Sequence, residues 1–428
     1  MRLIDISEDL CKGCTLCSRA CGVGACLGEP LIPHKIDEKR CVNCGQCVVT
    51  CPTGAAVDRG DLEKVKAALK DRSLYRVVQS APAVRVTLGE EFEMEPGAVV
   101  PGRMAAALRR LGFDRVYDTC FAADLTVMEE GHELLERLEN GGPLPMFTSC
   151  CPAWVLFMEK NYPDLLCHLS TCKSPQQMFG ALVKTCMAEK EGLHPERIFL
   201  VSVMPCTAKK YEAERPEMKA SGCRDVDSVL TTRELAELIR QQNIDFTALP
   251  EESFDIPFGE YTGAGAIFGT SGGVMEAALR TAVKKIEGFP PKLSFYEVRG
   301  RENFREAGIK VGGTELKVAV IHGLKNVVPV LEELRKGKSR YHFIEVMSCP
   351  DGCIGGGGQP RIPKRSVRQK IIEKRERAVY YYELGLPKRE AGDNPSIKAV
   401  YQNFLNKPLS QKSHELLHTT YTDRSGIF

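Results

Sequence analysis

Phe147-Thr-Ser-Cys-Cys-Pro-Ala-Trp154 decides how this chain is interpreted, because its two neighbouring cysteines have partners in two later segments. Those segments are Met204-Pro-Cys-Thr-Ala-Lys-Lys-Tyr-Glu212 and Glu345-Val-Met-Ser-Cys-Pro-Asp-Gly-Cys-Ile-Gly-Gly-Gly-Gly-Gln-Pro360. Together the three segments hold five cysteines, few charges, and glycines and prolines of the kind that shape a pocket. A cubane iron–sulfur cluster takes four thiolates, so one of the five cysteines has no place on it.

The composition is that of an ordinary globular protein. The chain has 428 residues, of which 43% are hydrophobic and 27% charged, enough for two or three domains with a sizeable core. A net charge of +2 gives no electrostatic support for a nucleic-acid or acidic-membrane partner. The first residues lack an apolar signal core, and no apolar run is long enough to cross a bilayer, so we expect a cytoplasmic location.

The front of the chain has the spacing of a two-cluster ferredoxin. Nine of the nineteen cysteines fall between Cys11 and Cys51, although disulfides do not persist in a reducing compartment. The spacing rule predicts that each 4Fe–4S cluster takes three cysteines from one run and the fourth from the other run. The predicted ligand sets are Cys11, Cys14, Cys17 and Cys51 for one cluster, and Cys41, Cys44, Cys47 and Cys21 for the second. Two alternatives remain: a pair of zinc sites, and Cys26 in place of Cys21 as the fourth ligand.

The rest of the chain alternates short apolar runs with helical patterns, which is typical of α/β units built on parallel strands. We predict three zones: residues 1–75, 76–365 and 366–428. The predicted strands lie at residues 76–79, 115–118, 198–203, 316–321 and 341–346. The predicted helices lie at residues 61–70, 126–139, 232–240, 273–285, 397–405 and 412–418, with a basic helical stretch after Arg365. Several strands lead straight into the cysteine segments, where open α/β sheets bind their ligands.

The three cysteine segments resemble the signatures of iron-only (FeFe) hydrogenases, T-S-C-C-P, M-P-C-x-x-K-x-x-E and E-x-M-x-C-x-x-G-C-x-x-G-G-G-Q-P. The resemblance implies an α/β fold whose central H-cluster domain, residues 76–365, has two parallel or mixed sheet lobes flanked by helices. It implies a small ferredoxin-like α+β domain before this one, at residues 1–75. It also implies a helical C-terminal wrap at residues 366–428, which resembles the iron hydrogenase small subunit.

The resemblance also implies a cofactor and its ligands. Cys151, Cys206, Cys349 and Cys353 would bind the 4Fe–4S cubane of an H-cluster, whose two-iron subsite carries carbon monoxide, cyanide and a dithiolate. Lys209 would donate to one cyanide, although a solvated Lys209–Lys210 pair is the alternative. The pocket walls would be Ala81, Pro82, Phe147, Ser174, Pro175, Gln176, Met204, Pro205, Phe268 and Met347. Without the motif, plain core packing would be the usual interpretation of the apolar members.

The surplus cysteine has a role in the same resemblance. Cys150 would be the terminal proton donor, and the path towards the surface would run through Glu130, Ser170, Glu133 and Arg137. Glu133 and Arg137 stand at i, i+4 on a predicted helix, where such a pair is usually a solvated surface feature. A buried inert thiol is the corresponding alternative for Cys150.

The leading hypothesis is therefore an enzyme that interconverts protons, electrons and dihydrogen, with electrons relayed through the two front clusters. Expected partners are a ferredoxin or flavodoxin-like carrier, or diaphorase-type subunits of a larger complex, and the maturation proteins of the H-cluster. The alternatives are a sensory relative that binds dihydrogen and an iron–sulfur assembly scaffold without the two-iron subsite. The intact Cys150, Lys209, Gln176 and Met347 argue against both.

Overall fold

The computed structural model describes residues 3–288, 294–362 and 365–426. Within them the strands are β1 (Ile4–Ile6), β2 (Cys26–Leu27), β3 (Lys35–Ile36), β4 (Ala56–Asp58), β5 (Tyr75–Ser80), β6 (Arg115–Asp118), β7 (Met146–Phe147), β8 (Ile198–Met204), β9 (Ser228–Thr231), β10 (Phe304–Val311), β11 (Thr314–His322) and β12 (Phe343–Met347). The α-helices are α1 (Leu16–Ala20), α2 (Gln46–Thr50), α3 (Leu62–Lys70), α4 (Pro101–Arg110), α5 (Thr119–Asn140), α6 (Pro152–Asn161), α7 (Pro175–Leu182), α8 (Ala188–Glu191), α9 (Ala208–Ala213), α10 (Thr232–Gln241), α11 (Gly263–Ala266), α12 (Gly273–Glu287), α13 (Leu324–Arg335), α14 (Arg365–Leu384), α15 (Pro395–Val400) and α16 (Gln411–Leu417). Two π turns, Val183–Met187 and Tyr401–Leu405, extend α7 and α15.

The front module contains two copies of one unit. In each copy a cysteine loop leads into a five-residue helix, α1 or α2, that starts after a residue in the left-handed conformation, Thr15 (φ 62°) or Gly45 (φ 70°). Each helix ends at a cysteine in extended conformation, Cys21 or Cys51. β1 pairs antiparallel with β4, and β2 pairs antiparallel with β3. The small buried core of this module combines four cysteines with six aliphatic residues.

Two four-stranded sheets form the central part of the chain. The first has the order β6-β5-β8-β9 and is parallel throughout, with Val78 opposite Val116 on one side and Val201 on the other. The second has the order β10-β11-β12-β7, in which only the β10–β11 pair is antiparallel. Helices cover both sheets and bury the strands, as the apolar runs predict. The expected α/β class with two parallel or mixed sheet lobes is confirmed, and the structure makes the first sheet parallel and the second mixed.

The carboxyl ends of strands from both sheets meet at one place. β5 leads into Ala81–Pro82 and β8 into Cys206, while β12 leads into Cys349 and β7 leads, through Thr148 and Ser149, into Cys150 and Cys151. The segments that carry the motif cysteines therefore face each other between the sheets, at the position where α/β sheets bind ligands.

The C-terminal segment wraps around this region. The guanidinium of Arg375 on α14 is 1% exposed, pairs with Glu90 and donates to the carbonyl of Ile354, beside Cys353. Further along, the chain at residues 417–419 pairs with residues 171–173. Among the described residues, every helix is either too short or too polar to cross a membrane.

Candidate active site

The four cysteines that the motifs assign to a cubane line one buried cavity, together with Cys150. Burial raises the pKa of the Cys206 and Cys353 thiols, and it raises the pKa of Cys349 to about 11. Buried thiols of this kind lose their protons when a metal replaces them, and four soft sulfur ligands suit iron–sulfur clusters. The donor set therefore fits a 4Fe–4S cubane.

Most of the predicted wall residues surround the same cavity. They are Ala81, Pro82, Pro175, Gln176, Met204, Pro205, Phe268 and Met347, and Lys209, predicted as a donor to cyanide, lines the cavity with them. The structure corrects the prediction for two wall residues, which do not line the cavity. Phe147 is fully buried in the core against Trp154, with ring centroids 5.6 Å apart, because the β-strand alternation turns its side chain away from the cavity. Ser174 lies behind the wall, where its hydroxyl donates to Glu212.

Glu212 organises the polar side of the cavity. One of its oxygens accepts hydrogen bonds from Lys209 Nζ at 2.9 Å, from Ser174 Oγ at 2.8 Å and from Gln176 Nε2 at 3.1 Å. Lys209 Nζ also donates to the Cys150 carbonyl at 3.0 Å. Burial opposes its charge, but Glu212 outweighs burial and raises the pKa of Lys209, so the ammonium persists at the cavity wall.

The alternative of a solvated lysine pair is wrong. Lys209 has a side chain 11% exposed, and that of Lys210 is 3% exposed. Lys210 lies in a different set of contacts, because its ammonium pairs with Asp58 of the front module and with Glu234.

The five residues predicted for proton transfer form two groups at one end of α5. Ser170 Oγ donates to Glu133 at 2.7 Å, and Arg137 donates to the other oxygen of Glu133 at 2.6 Å. Glu130 is 1% exposed, and burial, reinforced by the nearby Glu133 carboxylate, raises its pKa to about 8. Cys150 borders the cavity and interacts electrostatically with Glu130. The Glu133–Arg137 pair is not a solvated surface feature, since its side chains are only 8% and 10% exposed.

The second cysteine loop of the front module packs directly on the cavity loops. Gln46 Nε2 donates to the Gly355 carbonyl at 2.9 Å, and Thr207 Oγ1 donates to the Asn43 carbonyl at 2.6 Å. At Gly357 an added Cβ would lie 2.2 Å from the Cys44 carbonyl oxygen, so only glycine permits this approach. The loop that holds Cys44 therefore touches both the segment after Cys206 and the segment after Cys353.

Cys21 and Cys26 are both buried, but they occupy different places in the repeated unit. Cys21 ends α1 as Cys51 ends α2, and each sulfur accepts a backbone hydrogen bond, from Ala25 at 3.1 Å and from Ala56 at 3.4 Å. Cys26 begins β2, and its thiol interacts with those of Cys17, Cys21 and Cys47.

Sequence reasoning missed two features of the site. Glu212 matches the second motif, but no role was assigned to it, although a glutamate three residues after a buried lysine is a signal for an ion pair. Asp351 stands at φ 66°, the left-handed conformation in which glycine is common, and its carboxylate pairs with Arg368 at 2.5 Å.

Comparison with known proteins agrees with this geometry. The family described as the iron-only hydrogenase large subunit, C-terminal domain, matches residues 75–357. The iron hydrogenase small subunit matches residues 369–424, and a 4Fe–4S binding domain matches residues 34–57. An NADP-reducing hydrogenase subunit of Solidesulfovibrio fructosivorans is 48% identical over 98% of this chain and 74% of its own length. The periplasmic [Fe] hydrogenase large subunit of Nitratidesulfovibrio vulgaris is 47% identical over 91% of this chain and 93% of its own length.

Solved structures give the same result, and one group of relatives has another role. An FeFe hydrogenase from Chlamydomonas reinhardtii superposes with a TM-score of 0.76 at 41% identity, over 85% of this chain and 99% of its own. A cytosolic iron–sulfur assembly component of Mus musculus is 30% identical over 92% of this chain and 85% of its own length. The hydrogenases are markedly more similar than this assembly component. The chain therefore belongs to the iron-only (FeFe) hydrogenase family, whose cofactors are an H-cluster and, in the front module, 4Fe–4S clusters.

Proposed function

We propose that this enzyme catalyses the reversible combination of two protons and two electrons to dihydrogen. The observation that carries the proposal is the cavity in which Cys150 and Lys209 stand beside the four cubane cysteines. A site that held only a cubane would need neither a fifth thiol nor a buried ammonium at its wall. Among the described residues, Glu212 and the Cys150 carbonyl accept two hydrogen bonds from the Lys209 ammonium, whose third N–H is available to an anionic ligand in the cavity. The H-cluster, when bound, supplies the redox-active iron at which protons and electrons meet.

The residues of the chain have separate tasks in this reaction. Cys151, Cys206, Cys349 and Cys353 would hold the cubane. Lys209 would place a positive charge against an anionic ligand of the two-iron subsite. The apolar walls, among them Met204, Phe268 and Met347, would exclude water and leave Cys150 as the proton donor that faces the subsite.

We propose that Cys150 exchanges its proton with Glu130, and that Ser170 connects Glu130 to Glu133. The 2.7 Å hydrogen bond from Ser170 to Glu133 is short enough for proton exchange, and the raised pKa of Glu130 lets it hold a proton at neutral pH. The adjacent Cys151 belongs to the metal, so the neighbouring cysteines would divide metal binding and proton transfer between them.

We propose that electrons pass along the front module in a fixed order. The cluster of Cys41, Cys44, Cys47 and Cys21 would be the inner one, because its loop contacts the segments after Cys206 and Cys353. The cluster of Cys11, Cys14, Cys17 and Cys51 would be the outer one. Cys14 is solvent-exposed, and the neighbouring loop exposes Leu31 (88%) and Ile32 (53%).

The partner would deliver or receive electrons at this outer loop. We propose that the partner is a set of diaphorase-type subunits in a larger cytoplasmic complex, and not a free ferredoxin. A relative named as a subunit of an NADP-reducing hydrogenase supports this choice. Exposed large apolar side chains beside a cluster also suit a lasting subunit interface more than a transient encounter. Purification from the native cell tests this: recovery of a stoichiometric flavin- or nicotinamide-binding subunit supports it, and recovery of the chain alone contradicts it.

Infrared spectroscopy of the matured protein separates a hydrogenase from an assembly scaffold. We expect bands from metal-bound carbon monoxide and cyanide, together with dihydrogen evolution from a reduced dye. An iron-loaded protein without those bands would contradict the proposed reaction. Bands with negligible turnover would indicate a sensory protein instead.

Substitution tests the roles of neighbouring cysteines. Cys150→Ser should keep the infrared bands and the iron content but lose dihydrogen evolution by about a hundredfold or more, as expected for a lost general acid. Cys167→Ser, at an exposed cysteine, is the matched control and should leave turnover unchanged. Full activity in Cys150→Ser would contradict the relay.

A second pair of variants tests the fourth ligand of the inner cluster. The Cys21→Ala protein should contain less iron and acid-labile sulfide, by the amount that one 4Fe–4S cluster holds. Cys26→Ala should keep the full content, because its place in the repeat corresponds to Ala56, which binds no metal. The reverse result would make Cys26 the ligand.

A further inference from the structure

Glu133 is the outermost titratable group of the proposed relay, and it is itself only 6% exposed. Its neighbour towards the solvent, Arg137, donates to Glu133 and to the carbonyls of Pro143, Cys167 and Leu169. A guanidinium keeps its charge at every pH at which proteins fold, so it cannot take up a proton and release it again. Arg137 therefore holds Glu133 in position, and protons must reach Glu133 by way of another group.

A histidine from the C-terminal segment occupies the other side of Glu133. Thr419 N donates to the Thr171 carbonyl at 2.7 Å, and Cys172 and His418 pair antiparallel. This pairing brings their side chains together. One ring nitrogen of His418, the sulfur of Cys172 and a carboxylate oxygen of Glu133 all lie within 4.8 Å of one another. That span is short enough for a single bridging water.

The hydrogen bonds of His418 suit a group that gains and loses a proton. Its Nδ1 lies 2.7 Å from Thr171 Oγ1, and its Nε2 lies 3.2 Å from Glu129 Oε2. Burial opposes the charge of Glu129, but hydrogen bonds from His418, Tyr401 and the Leu409 amide outweigh it and lower the pKa of Glu129. The resulting carboxylate is available to balance an imidazolium at His418.

His418 also has a connection to solvent. His414 lies one turn earlier on α16, its ring centroid is 4.4 Å from that of His418, and it is exposed. An imidazole can accept a proton on one ring nitrogen and release a proton from the other, which is what a proton carrier at the surface must do. The titratable groups that face His418 are Glu129 and Glu133 from α5, Cys172 from the segment before α7, Tyr401 from the π turn and His414 from α16.

We infer that His414 and His418 form the proton entrance of the relay and that His418 exchanges protons with Glu133. In dihydrogen evolution a solvent acid protonates the imidazole of His414 or His418. The imidazolium of His418 then passes its proton to the Glu133 carboxylate and returns to the neutral state. The reverse sequence releases protons when dihydrogen is oxidised. This inference rests on the relay through Glu133 in the proposed function.

His418→Gln tests the entrance, because glutamine can keep the contacts with Thr171 and Glu129 but does not titrate. At pH 8, where free protons are scarce, dihydrogen evolution should fall about tenfold or more and the solvent isotope effect should rise. Added imidazole should restore part of the rate. His132→Gln is the matched control, because His132 lies beside Glu133 on α5 but is hydrogen-bonded, among the contacts described, only to the Met128 carbonyl.

The outcomes separate the entrance from the relay. If His418→Gln has the same pH profile and isotope effect as His132→Gln, the proposed entrance is wrong. A loss of activity in Glu133→Gln would in that case still support the relay. If Glu133→Gln is fully active, the relay itself fails. His414→Gln changes an exposed residue and leaves the fold intact. It should reduce the rate of dihydrogen evolution by a smaller factor, and added imidazole should restore that rate too. An unchanged rate at low buffer concentration would contradict the proposed entrance.

A second measurement does not depend on turnover. After a pH jump, infrared difference spectroscopy follows the carboxyl band of Glu130 in protein that carries only its 4Fe–4S clusters, and Glu130→Gln identifies the band. We expect this protonation to slow at least severalfold in His418→Gln and to keep its rate in His132→Gln. Equal rates in the two variants would overturn the inference.

Discussion

Removing the Glu212 carboxylate should destabilise the H-cluster domain and disturb the position of Lys209. Glu212→Ala deletes the acceptor of three hydrogen bonds, from Lys209, Ser174 and Gln176. It leaves the Lys209 ammonium, 11% exposed, with the Cys150 carbonyl as its one remaining partner among the described residues.

The expected magnitude follows from that geometry. Breaking a buried ion pair by removing one partner costs about 3–5 kcal/mol, so Glu212→Ala should lose about that much unfolding free energy. Glu212→Gln keeps an acceptor of the same shape and loses the charge, which should cost about 1.5–3 kcal/mol. Glu214→Ala, at an exposed position two residues on, is the matched control and should change stability by about 0.5 kcal/mol at most.

The single tryptophan provides the assay. Trp154 lies in the first turn of α6, is fully buried and belongs to the core of the H-cluster domain, so its fluorescence in a urea titration reports unfolding of that domain. In the matured protein, both Glu212 variants should also carry a smaller number of two-iron subsites for each cubane. The intensity of the infrared bands measures this ratio. If Glu212→Ala unfolds within 1 kcal/mol of the parent protein and loads the subsite fully, the role assigned to Glu212 is wrong.

Two further predictions concern the contact with the front module and the pH dependence of stability. Gly357→Ala puts a methyl group 2.2 Å from the Cys44 carbonyl oxygen, so overpacking should lower the free energy of unfolding by about 1–3 kcal/mol. It should also slow electron transfer from the front clusters, measured after flash reduction. Gly385→Ala is the control, because its Cβ meets nothing closer than 3.5 Å, and it should change neither the stability nor the rate. Glu130 has a folded pKa of about 8 against about 4.3 when unfolded, so the folded state binds the extra proton between those values and stability falls as pH rises through that window. Glu130→Gln should therefore be more stable than the parent protein at pH 8, by an amount on the order of 4 kcal/mol, and nearly equal to it at pH 4.5, as measured by Trp154 fluorescence; equal stability at both pH values would contradict the buried, protonated carboxyl.

Of the five strands that the sequence predicts, four lie inside a sheet, and the fifth, β6, is an edge strand that is nonetheless largely buried. β5, β8, β11 and β12 are apolar runs because neighbours cover both of their faces. β10 was missed, since it is an edge strand in which charged and buried residues alternate, and β7 has only two residues. α5 begins at Thr119, well before the predicted start at Thr126, because its first half is buried on all sides and therefore shows no amphipathic pattern.

The proposed metal ligands were predictable for a different reason. A cubane needs thiolates at short, fixed spacings, so the ligand loops are local and their pattern survives in the sequence as motifs. Wall residues were less certain, and Phe147 and Ser174 show why. Successive side chains of a strand point to opposite faces, so only the orientation of β7 decides on which side Phe147 lies, and only the packing around the start of α7 decides the position of Ser174.

By itself the sequence determined the family and the α/β class, and it predicted the cluster cysteines and the separate roles of Cys150 and Cys151. Only the tertiary structure decided which cysteine loop of the front module lies against the cavity, through Gly357 and the Cys44 carbonyl. It also brought His418 to Glu133, across 285 positions of the chain. Ligand spacing is a local property that a few residues fix, whereas these contacts depend on how two sheets and a C-terminal wrap pack together. Such packing leaves no periodic trace in the amino-acid sequence.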